Sequence, residues 1–514
     1  LRIITVIQVR EAMFKKILVA NRGEIAVRIM RTCQEMGIKS VAVYSEMDRT
    51  SPHVQLADEA YALGGITSAE SYLKGEKIIE IARAHGVEAI HPGYGFLSEN
   101  AQFARMVEQA GLTFIGPPPE AIELMGSKTA ARTLMQKHGV PTVPGTKQAI
   151  TSPDEAVKIA DEIGYPVLIK ASAGGGGKGM RLVEKPENLL SALDSAAREA
   201  KSAFGDAAVY IEKYLEQPRH IEFQILADNY GNVVHLGERE CSIQRRHQKI
   251  IEEAPSVVLD EALRRKMGEA AIQAAKACNY RNAGTIEFML DKNHNFYFLE
   301  MNTRLQVEHP ITEMVTGTDL VREQILIASG ERLSFEAPPA SFWGHAIECR
   351  IYAEDADNNF TPSPGTIEVL QPAYGPGIRE DSGVMQGSEI SLYYDPMISK
   401  LIAWGATREQ AIRRMIRALK EYQLGGIKTN IGFLIRVLQH PDFVAGKLTT
   451  TFINEHADAL FGDRFAHKEA AALMALLQHV HEKEHFSAPQ SDGNHRPKLS
   501  NWKVIGRMKQ MRRA

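Results

Sequence analysis

Polar and apolar positions alternate without a break from Glu300 to Glu308. Glu300, Asn302, Arg304, Gln306 and Glu308 fall on one side, and Met301, Thr303, Leu305 and Val307 on the other. Side chains of an extended chain alternate between faces, so the first set predicts a polar line and the second suits a core. Fully extended, the line would span roughly 26 Å at ~3.3 Å per residue. That exceeds one small ligand, so either the chain bends or its two ends serve different substrates. Upstream, the apolar run around Glu287 and the run leading into Glu300 both read as strands, and the turn-like stretch 291–295 between them predicts a hairpin. Such a hairpin brings Glu287 near Glu300, in a register that the pattern leaves open. Two carboxylates and the amide oxygen of Asn302 form a hard-oxygen set suited to Mg²⁺.

Elsewhere the periodicity changes along the chain. Residues 16–20 read as a short buried strand, 21–36 as a helix closed by Gly37, 40–44 as a strand, 74–85 as a helix and 88–91 as a strand. This rhythm predicts an N-terminal doubly wound parallel sheet of the α/β class. The glycine-bearing stretch 91–100 follows a strand's carboxyl end, where such sheets bind ligands. From about residue 126 the strands lie closer together, at 165–170, 207–212 and 220–226, with a helix over 186–202, an α+β pattern. The Ala-Pro-Pro-Ala run at 337–340 marks a further boundary. Short strands and a helix over 408–422 follow it, and a polar linker covers 487–500. The expected division is 13–125, 126–335, 340–460 and a helix-plus-linker tail over 461–514, without internal repeats. In that tail Leu473, Leu476, Leu477 and Val480 recur at helical spacing, and Trp502 and Ile505 offer anchors for a docking role.

A length of 514 residues matches about three domains. With 44% hydrophobic and 24% charged residues, the composition is that of a globular protein. The net charge of −3 gives no global field toward nucleic acid or membrane. No apolar run is long enough to cross a bilayer. The four cysteines, Cys33, Cys241, Cys278 and Cys349, are scattered, with no Cys-x-x-Cys pair. That spacing fits a reducing cytoplasm and buried thiols. The apolar run at 3–9 lacks a small-residue cleavage site after it, so Met13 is the expected working start of the fold.

Lys170-Ala-Ser-Ala-Gly-Gly-Gly-Gly-Lys-Gly179 places four glycines in a row. Their entropic cost calls for compensation, and backbone N–H groups approaching phosphate oxygens supply it. Gly174, Gly176 and Gly179 match a dinucleotide fingerprint formally, but a strand pattern follows where a helix belongs. A Walker loop fails too, since Ser172 stands where its first glycine belongs. A glycine hairpin covering nucleotide phosphates is the better reading. Arg239, Arg245, Arg246, His247 and Lys249 form a basic run without aromatic residues. It fits neutralisation of a phosphate-bearing intermediate rather than nucleic-acid stacking. His481-Glu-Lys-Glu-His485 has metalloprotease spacing but lies at a helix end before the linker, with no core to exclude water.

Taken together, Lys170-Ala-Ser-Ala-Gly-Gly-Gly-Gly-Lys-Gly-Met, Gln244-Arg-Arg-His-Gln-Lys249 and Glu300-Met-Asn-Thr-Arg-Leu-Gln-Val-Glu308 resemble biotin carboxylase, of the ATP-grasp superfamily. Asn21-Arg-Gly-Glu-Ile-Ala, the 91–100 loop and His345-Ala-Ile-Glu-Cys-Arg350 belong to the same pattern, and the resemblance runs from about 14 to 460. It implies an N-terminal doubly wound domain, an ATP-grasp domain with a mobile glycine-rich lid and a C-terminal α+β domain. It also implies ATP-dependent carboxylation of biotin on a biotin carboxyl carrier protein, with bicarbonate as carbon source. ATP contacts are implied for Lys128, Lys170, Gly176, Gly177, Glu212, Lys213, Tyr214, Leu215, His220, Gln244 and His247. Magnesium, with manganese as a substitute, would lie on Glu287, Glu300 and Asn302. Arg304 and the Val307 backbone would bind bicarbonate, with Gln306 nearby, and Glu308 would deprotonate it. Lys249 would steady carboxyphosphate, and Arg350 the biotin oxyanion.

Ala173 replaces a glycine that some members carry. Met508-Lys-Gln-Met511 is superficially similar to a biotin-acceptor motif, but only five residues follow Lys509. The chain is therefore expected to be one component of a carboxylase, without its own carrier, that works with a separate carboxyltransferase and forms a homodimer. The acyl-CoA or pyruvate acceptor stays open. The rival reading is another ATP-grasp carboxylate–amine ligase, which would share the lid and the metal acids.

Overall fold

In the computed structural model, residues 13–146, 150, 152–171, 181–204, 207–335 and 341–461 are described. Residues up to Leu460 form one compact unit. The tail motifs, the His481–Glu–x–x–His485 match and the tetraglycine loop with Gly176 and Gly177 lie outside the described residues.

Five parallel strands open the fold: β1 (Lys16–Val19), β2 (Lys39–Tyr44), β3 (Glu59–Ala62), β4 (Ala89–His91) and β5 (Thr113–Phe114), in the order β3-β2-β1-β4-β5. Ile17, Leu18 and Val19 are fully buried, which explains why β1 reads as an unbroken apolar run. Strand order reverses between β1 and β4, and the loops that leave these two strands meet. Asn21 Nδ2 donates to the Pro92 and Tyr94 carbonyls, each at 2.7 Å. Gly93 there has φ +65°, and a Cβ on it would lie 3.0 Å from Asn21 Nδ2. Only glycine closes that corner without strain. The helix Gly23–Glu35 packs Ile25, Ile29 and Cys33 inward.

A small antiparallel sheet follows, β6 (Val167–Ala171), β7 (Arg181–Val183) and β8 (Val209–Lys213), in the order β7-β6-β8. The helices Pro153–Ile163 and Leu189–Phe204 cover it, and the predicted helix over 186–202 begins as a 3₁₀ turn at Pro186–Asn188.

The largest element is an antiparallel sheet of eight strands. It contains β9 (Arg219–Ala227), β10 (Val233–Arg245), β11 (Gln248–Ala254), β12 (Asn282–Leu290), β13 (Phe296–Asn302), β14 (His345–Tyr352) and the strands Ile378–Ser382 and Met397–Gly405. Its order is β13-β12-β9-β10-β11-β14, then Met397–Gly405 and Ile378–Ser382 at the edge. The segments 126–335 and 340–460 thus share one sheet, joined where β11 pairs with β14. Ile221, Phe223 and Ile225 of β9 pack under the alanine-rich helix Glu261–Ala277. By alternation, His220, Glu222 and Gln224 turn to the opposite face.

Candidate active site

That opposite face carries two charged rungs. Across β13, β12, β9 and β10, Glu300 pairs with Glu287, Glu287 with Glu222, and Glu222 with Arg239. Farther along the sheet, Arg350 of β14 pairs with Lys400, and Lys400 with Asp381. Directly opposed residues share a face, so backbone pairing alone aligns each rung.

Lys249 of β11 reaches into the first rung. Its Nζ lies 2.5 Å from Glu222, 2.8 Å from Glu287 and 2.6 Å from Glu308. Burial alone would lower the Lys249 pKa, but these three carboxylates raise it well above the ordinary lysine value. Glu308 is fully buried and also contacts Arg350 Nη2 at 3.0 Å. Burial pushes its pKa up, yet Lys249, Arg350 and Arg239 outweigh that and leave it well below the carboxylate range. Arg350 Nε donates to Glu252 at 2.6 Å. Arg239, wholly buried, donates to Glu222, Gln224, Thr285 and Thr312, which fixes the floor. Cys241 lies beside Glu308, and burial raises its thiol pKa far above the usual value, so the thiol is inert. All four cysteines are free and buried.

Of the two alternatives left by the length of the 300–308 line, the structure shows the bend. β13 ends at Asn302, and Glu308 becomes the residue before the helix His309–Thr316. The bend turns Glu308 back so that it shares one ammonium with Glu287, the hairpin partner of Glu300. Arg304 donates to Glu99 at 2.7 Å, to Gln306 at 3.0 Å and to Asn302 Oδ1 at 3.1 Å. Gln306 and Asn302 both donate to Glu287 Oε1.

The expected hairpin forms, with Glu287 facing Glu300. Burial, then the neighbouring Glu287, raises the Glu300 pKa. Glu287 itself is raised by burial but brought below the ordinary range by Lys249 and His220. Among the described residues, the one cation in salt-bridge range of Glu300 is Lys128, 4.0 Å away with its side chain 89% exposed. Two carboxylates, one of them poorly compensated, with an amide alongside fit a hard divalent cation.

Among the nucleotide candidates, Lys170 lies 2.5 Å from Glu212, which also holds Arg132 at 2.7 Å. His220 Nε2 is 3.0 Å from Glu287, and Gln244 Nε2 is 3.1 Å from His220 Nδ1. Tyr214 and Leu215 follow β8 on the connection to β9, and the Tyr214 N–H donates to the Pro166 carbonyl. The Lys213 ammonium turns away to the carbonyls of Gly164 and Tyr165. His247 sits at the β10–β11 hairpin tip, exposed, with φ 68°.

The basic run does not act as one cluster. Register shifts between Glu240 and Gln244 turn β10, so Arg239 and Lys249 face the site. Arg245 goes instead to Glu354 and stacks over Phe360, and Arg246 goes to Asn359. Sequence spacing carries no sign of these bulges. It does carry one for Glu222, which alternates with His220 and Gln224 as the 300–308 residues do, but which the motifs above do not include. Glu99 belongs to the 91–100 loop already singled out, without a role of its own, whereas Glu252 and Lys400 come from distant segments and have no local signal.

Family models match three stretches: the biotin carboxylase N-terminal domain over 13–122, the carbamoyl-phosphate synthase L chain ATP-binding domain over 127–336, and the biotin carboxylase C-terminal domain over 348–455. A biotin carboxylase of Nostoc is 58% identical over 442 residues, 86% of this chain and 99% of that protein. A pyruvate carboxylase subunit of Methanothermobacter thermautotrophicus is 56% identical, covering 86% of this chain and 90% of that one. The biotin carboxylase domain dimer of Hydrogenobacter thermophilus 2-oxoglutarate carboxylase, solved with MgADP, ADP and bicarbonate, superposes with TM-score 0.79 at 51% identity, over 88% of this chain and 99% of that one. With all three regions matched in order and identity above half along most of its length, the chain belongs to the biotin carboxylase family.

Proposed function

We propose that the site carries out the first half-reaction of a biotin-dependent carboxylase through the residues described above. ATP and bicarbonate would give carboxyphosphate, which carboxylates biotin delivered on a carrier protein. The observation that supports this most is the single ammonium of Lys249 shared by Glu222, Glu287 and Glu308, with Arg350 on the far side of Glu308.

A cation and an acid in contact, both ionised, hold the ground state closed. An incoming bicarbonate, held by the planar fork of Arg304 and the Val307 N–H, would compete for those cations. As bicarbonate and the nucleotide phosphates draw Lys249 and Arg350 away, Glu308 loses its compensating charges before proton transfer, and Lys249 would later steady the phosphate-bearing intermediate and Arg350 the biotin oxygen. Its proton affinity then rises toward what a general base needs. Glu287, Glu300 and Asn302 would hold Mg²⁺, which when bound supplies charge neutralisation at the phosphates. Glu212, Lys170 and Lys128 would serve the nucleotide, together with the 213–215 backbone, His220, Gln244 and His247. Gly176 and Gly177 are proposed for the phosphates from sequence alone. Excluding water protects the labile intermediate.

The division 13–125, 126–335 and 340–460, with a docking tail over 461–514, is likewise part of this proposal, as are a carrier, a carboxyltransferase and a homodimer. The Nostoc biotin carboxylase and the Methanothermobacter pyruvate carboxylase subunit match with nearly equal identity, so the choice of acceptor is assigned to the transferase partner. The test is ADP release from the full chain with and without bicarbonate and biotin. Release that depends on both is expected; equal rates without them would overturn the reading.

A further inference from the structure

The helix His309–Thr316 begins with a histidine that is fully buried. Its Nδ1 lies 2.8 Å from the Gln306 carbonyl oxygen. A carbonyl only accepts, so Nδ1 carries the proton and the ring is the Nδ1–H tautomer. Nε2 has no hydrogen-bond partner among the described residues. Burial, and then Lys400, Arg28 and Arg379, holds the ring's pKa well below the ordinary value, consistent with a neutral imidazole. The next carbonyl, that of Val307, accepts from the wholly buried Lys400 Nζ at 2.9 Å. Lys400 is in turn 3.2 Å from Glu24 and 3.8 Å from Asp381.

Two consecutive peptide planes are therefore held by side chains, the first with help from the His309 N–H, which donates to the same Gln306 carbonyl at 3.4 Å. In a trans peptide the C=O and the N–H point in opposite directions. The plane containing the Gln306 carbonyl also contains the Val307 N–H. Holding the carbonyl against the ring turns the Val307 N–H the other way, away from the imidazole. We propose that His309 is a positioning residue for anion binding: its Nδ1–H aims the Val307 N–H at bicarbonate, while Lys400 fixes the following peptide. The proposal rests on the biotin carboxylase reading of the site. It assigns His309 no proton transfer, because its free nitrogen faces no reacting group.

Two amide substitutions separate this role from simple packing. The amide nitrogen of an asparagine falls near the place of Nδ1, whereas that of a glutamine extends toward Nε2. His309→Asn is expected to keep the KM for bicarbonate close to that of the unmodified chain. His309→Gln is expected to raise it on the order of tenfold, the scale of one hydrogen bond to a charged group, with the KM for ATP unchanged. Equal behaviour of the two variants, or a parallel rise in both KM values, would overturn the proposal. On the unmodified chain, ¹⁵N-histidine NMR should report a neutral Nδ1-protonated ring for His309, and an Nε2-protonated or charged ring would overturn it without any variant. The unmodified chain is assayed first for dependence on bicarbonate and biotin. Loss of that dependence removes the functional reading, whereas a normal dependence with indifferent variants removes only the role of His309.

Discussion

At the scale of single residues, the contacts of Glu308 decide what its loss does. Glu308→Gln removes one of three acids on Lys249 and leaves the nucleotide-side residues Lys170, Glu212 and Lys128 in place. ATP affinity by calorimetry should stay within error of the parent, while bicarbonate-dependent turnover falls ~10²–10⁴-fold, the usual worth of a general base. Weakened ATP binding with ordinary turnover would contradict the division of labour. Among the described residues, Glu300→Gln touches no ion pair closer than the exposed Lys128, so it probes the metal more cleanly than Glu287, whose charge also holds Lys249 and His220. Turnover at ordinary Mg²⁺ should drop ~10²–10³-fold, the scale of one strong electrostatic catalytic contact, and recover in part as Mg²⁺ is raised. Unchanged turnover and Mg²⁺ dependence would mean that this carboxylate does not hold the ion.

At the scale of elements, the entry to the helix Gly23–Glu35 shows how charge is built into the fold. Arg22 Nε and Nη2 each donate at 2.7 Å to Asp48, which also accepts from Tyr72. Burial would raise the Asp48 pKa, but Arg22 and Tyr72 bring it down to about 2. A carboxyl depressed in the folded state stabilises it above the unfolded value near ~4, and that contribution disappears as pH falls through about 2. It amounts to about 2 kcal/mol, and Asp48→Asn should flatten the acid limb of a stability–pH curve between roughly pH 4 and 2. The strand at 16–20 and the hairpin at Glu287 and Glu300 were legible in sequence because apolar runs and period-two patterns report directly on burial and faces. A bend was one of two readings of the 300–308 line, but its place after Asn302 was not legible, since Thr303 to Val307 keep the alternation while hydrogen bonds from Thr303 and Arg304 to Glu99 draw the chain off course. The split of the basic run was hidden for a related reason: a bulge changes facing without leaving a residue signature.

At the scale of the whole molecule, ion pairs tie the N-terminal sheet to the large one. Arg28 reaches Glu313 at 2.9 Å and Asp319 at 2.7 Å, and Arg379 reaches Glu313 from the edge strand at 2.7 Å. Arg28→Met takes one cation from Glu313, which keeps Arg379, and from the partly exposed Asp319, which keeps hydrogen bonds from Thr32 and the Arg322 N–H, so a loss of about 1 kcal/mol is expected in urea unfolding. A loss below roughly half a kcal/mol would show the seam to be held by packing alone. The described site residues all belong to the unit that ends at Leu460. Deleting residues after Asp463 should therefore spare free-biotin activity while weakening capture of the carrier and transferase in a pull-down; lost activity would refute this.

The two charged rungs also govern how such a protein can change over generations. The spacing from Glu300 to Arg239, and from Arg350 to Asp381, is set by strand pairing, in steps of ~4.8 Å, and not by the length of chain between them. Extra residues gained in the connection at 291–295, or between β14 and the edge strands, leave every rung in register. A single residue gained inside β11 would turn Lys249 to the wrong side of the sheet and set Ile250 or Gln248 among three acids. Drift in length is thus free at the ends of the strands and forbidden along them, so lineages of this fold can acquire new outer loops for new partners without disturbing the chemistry.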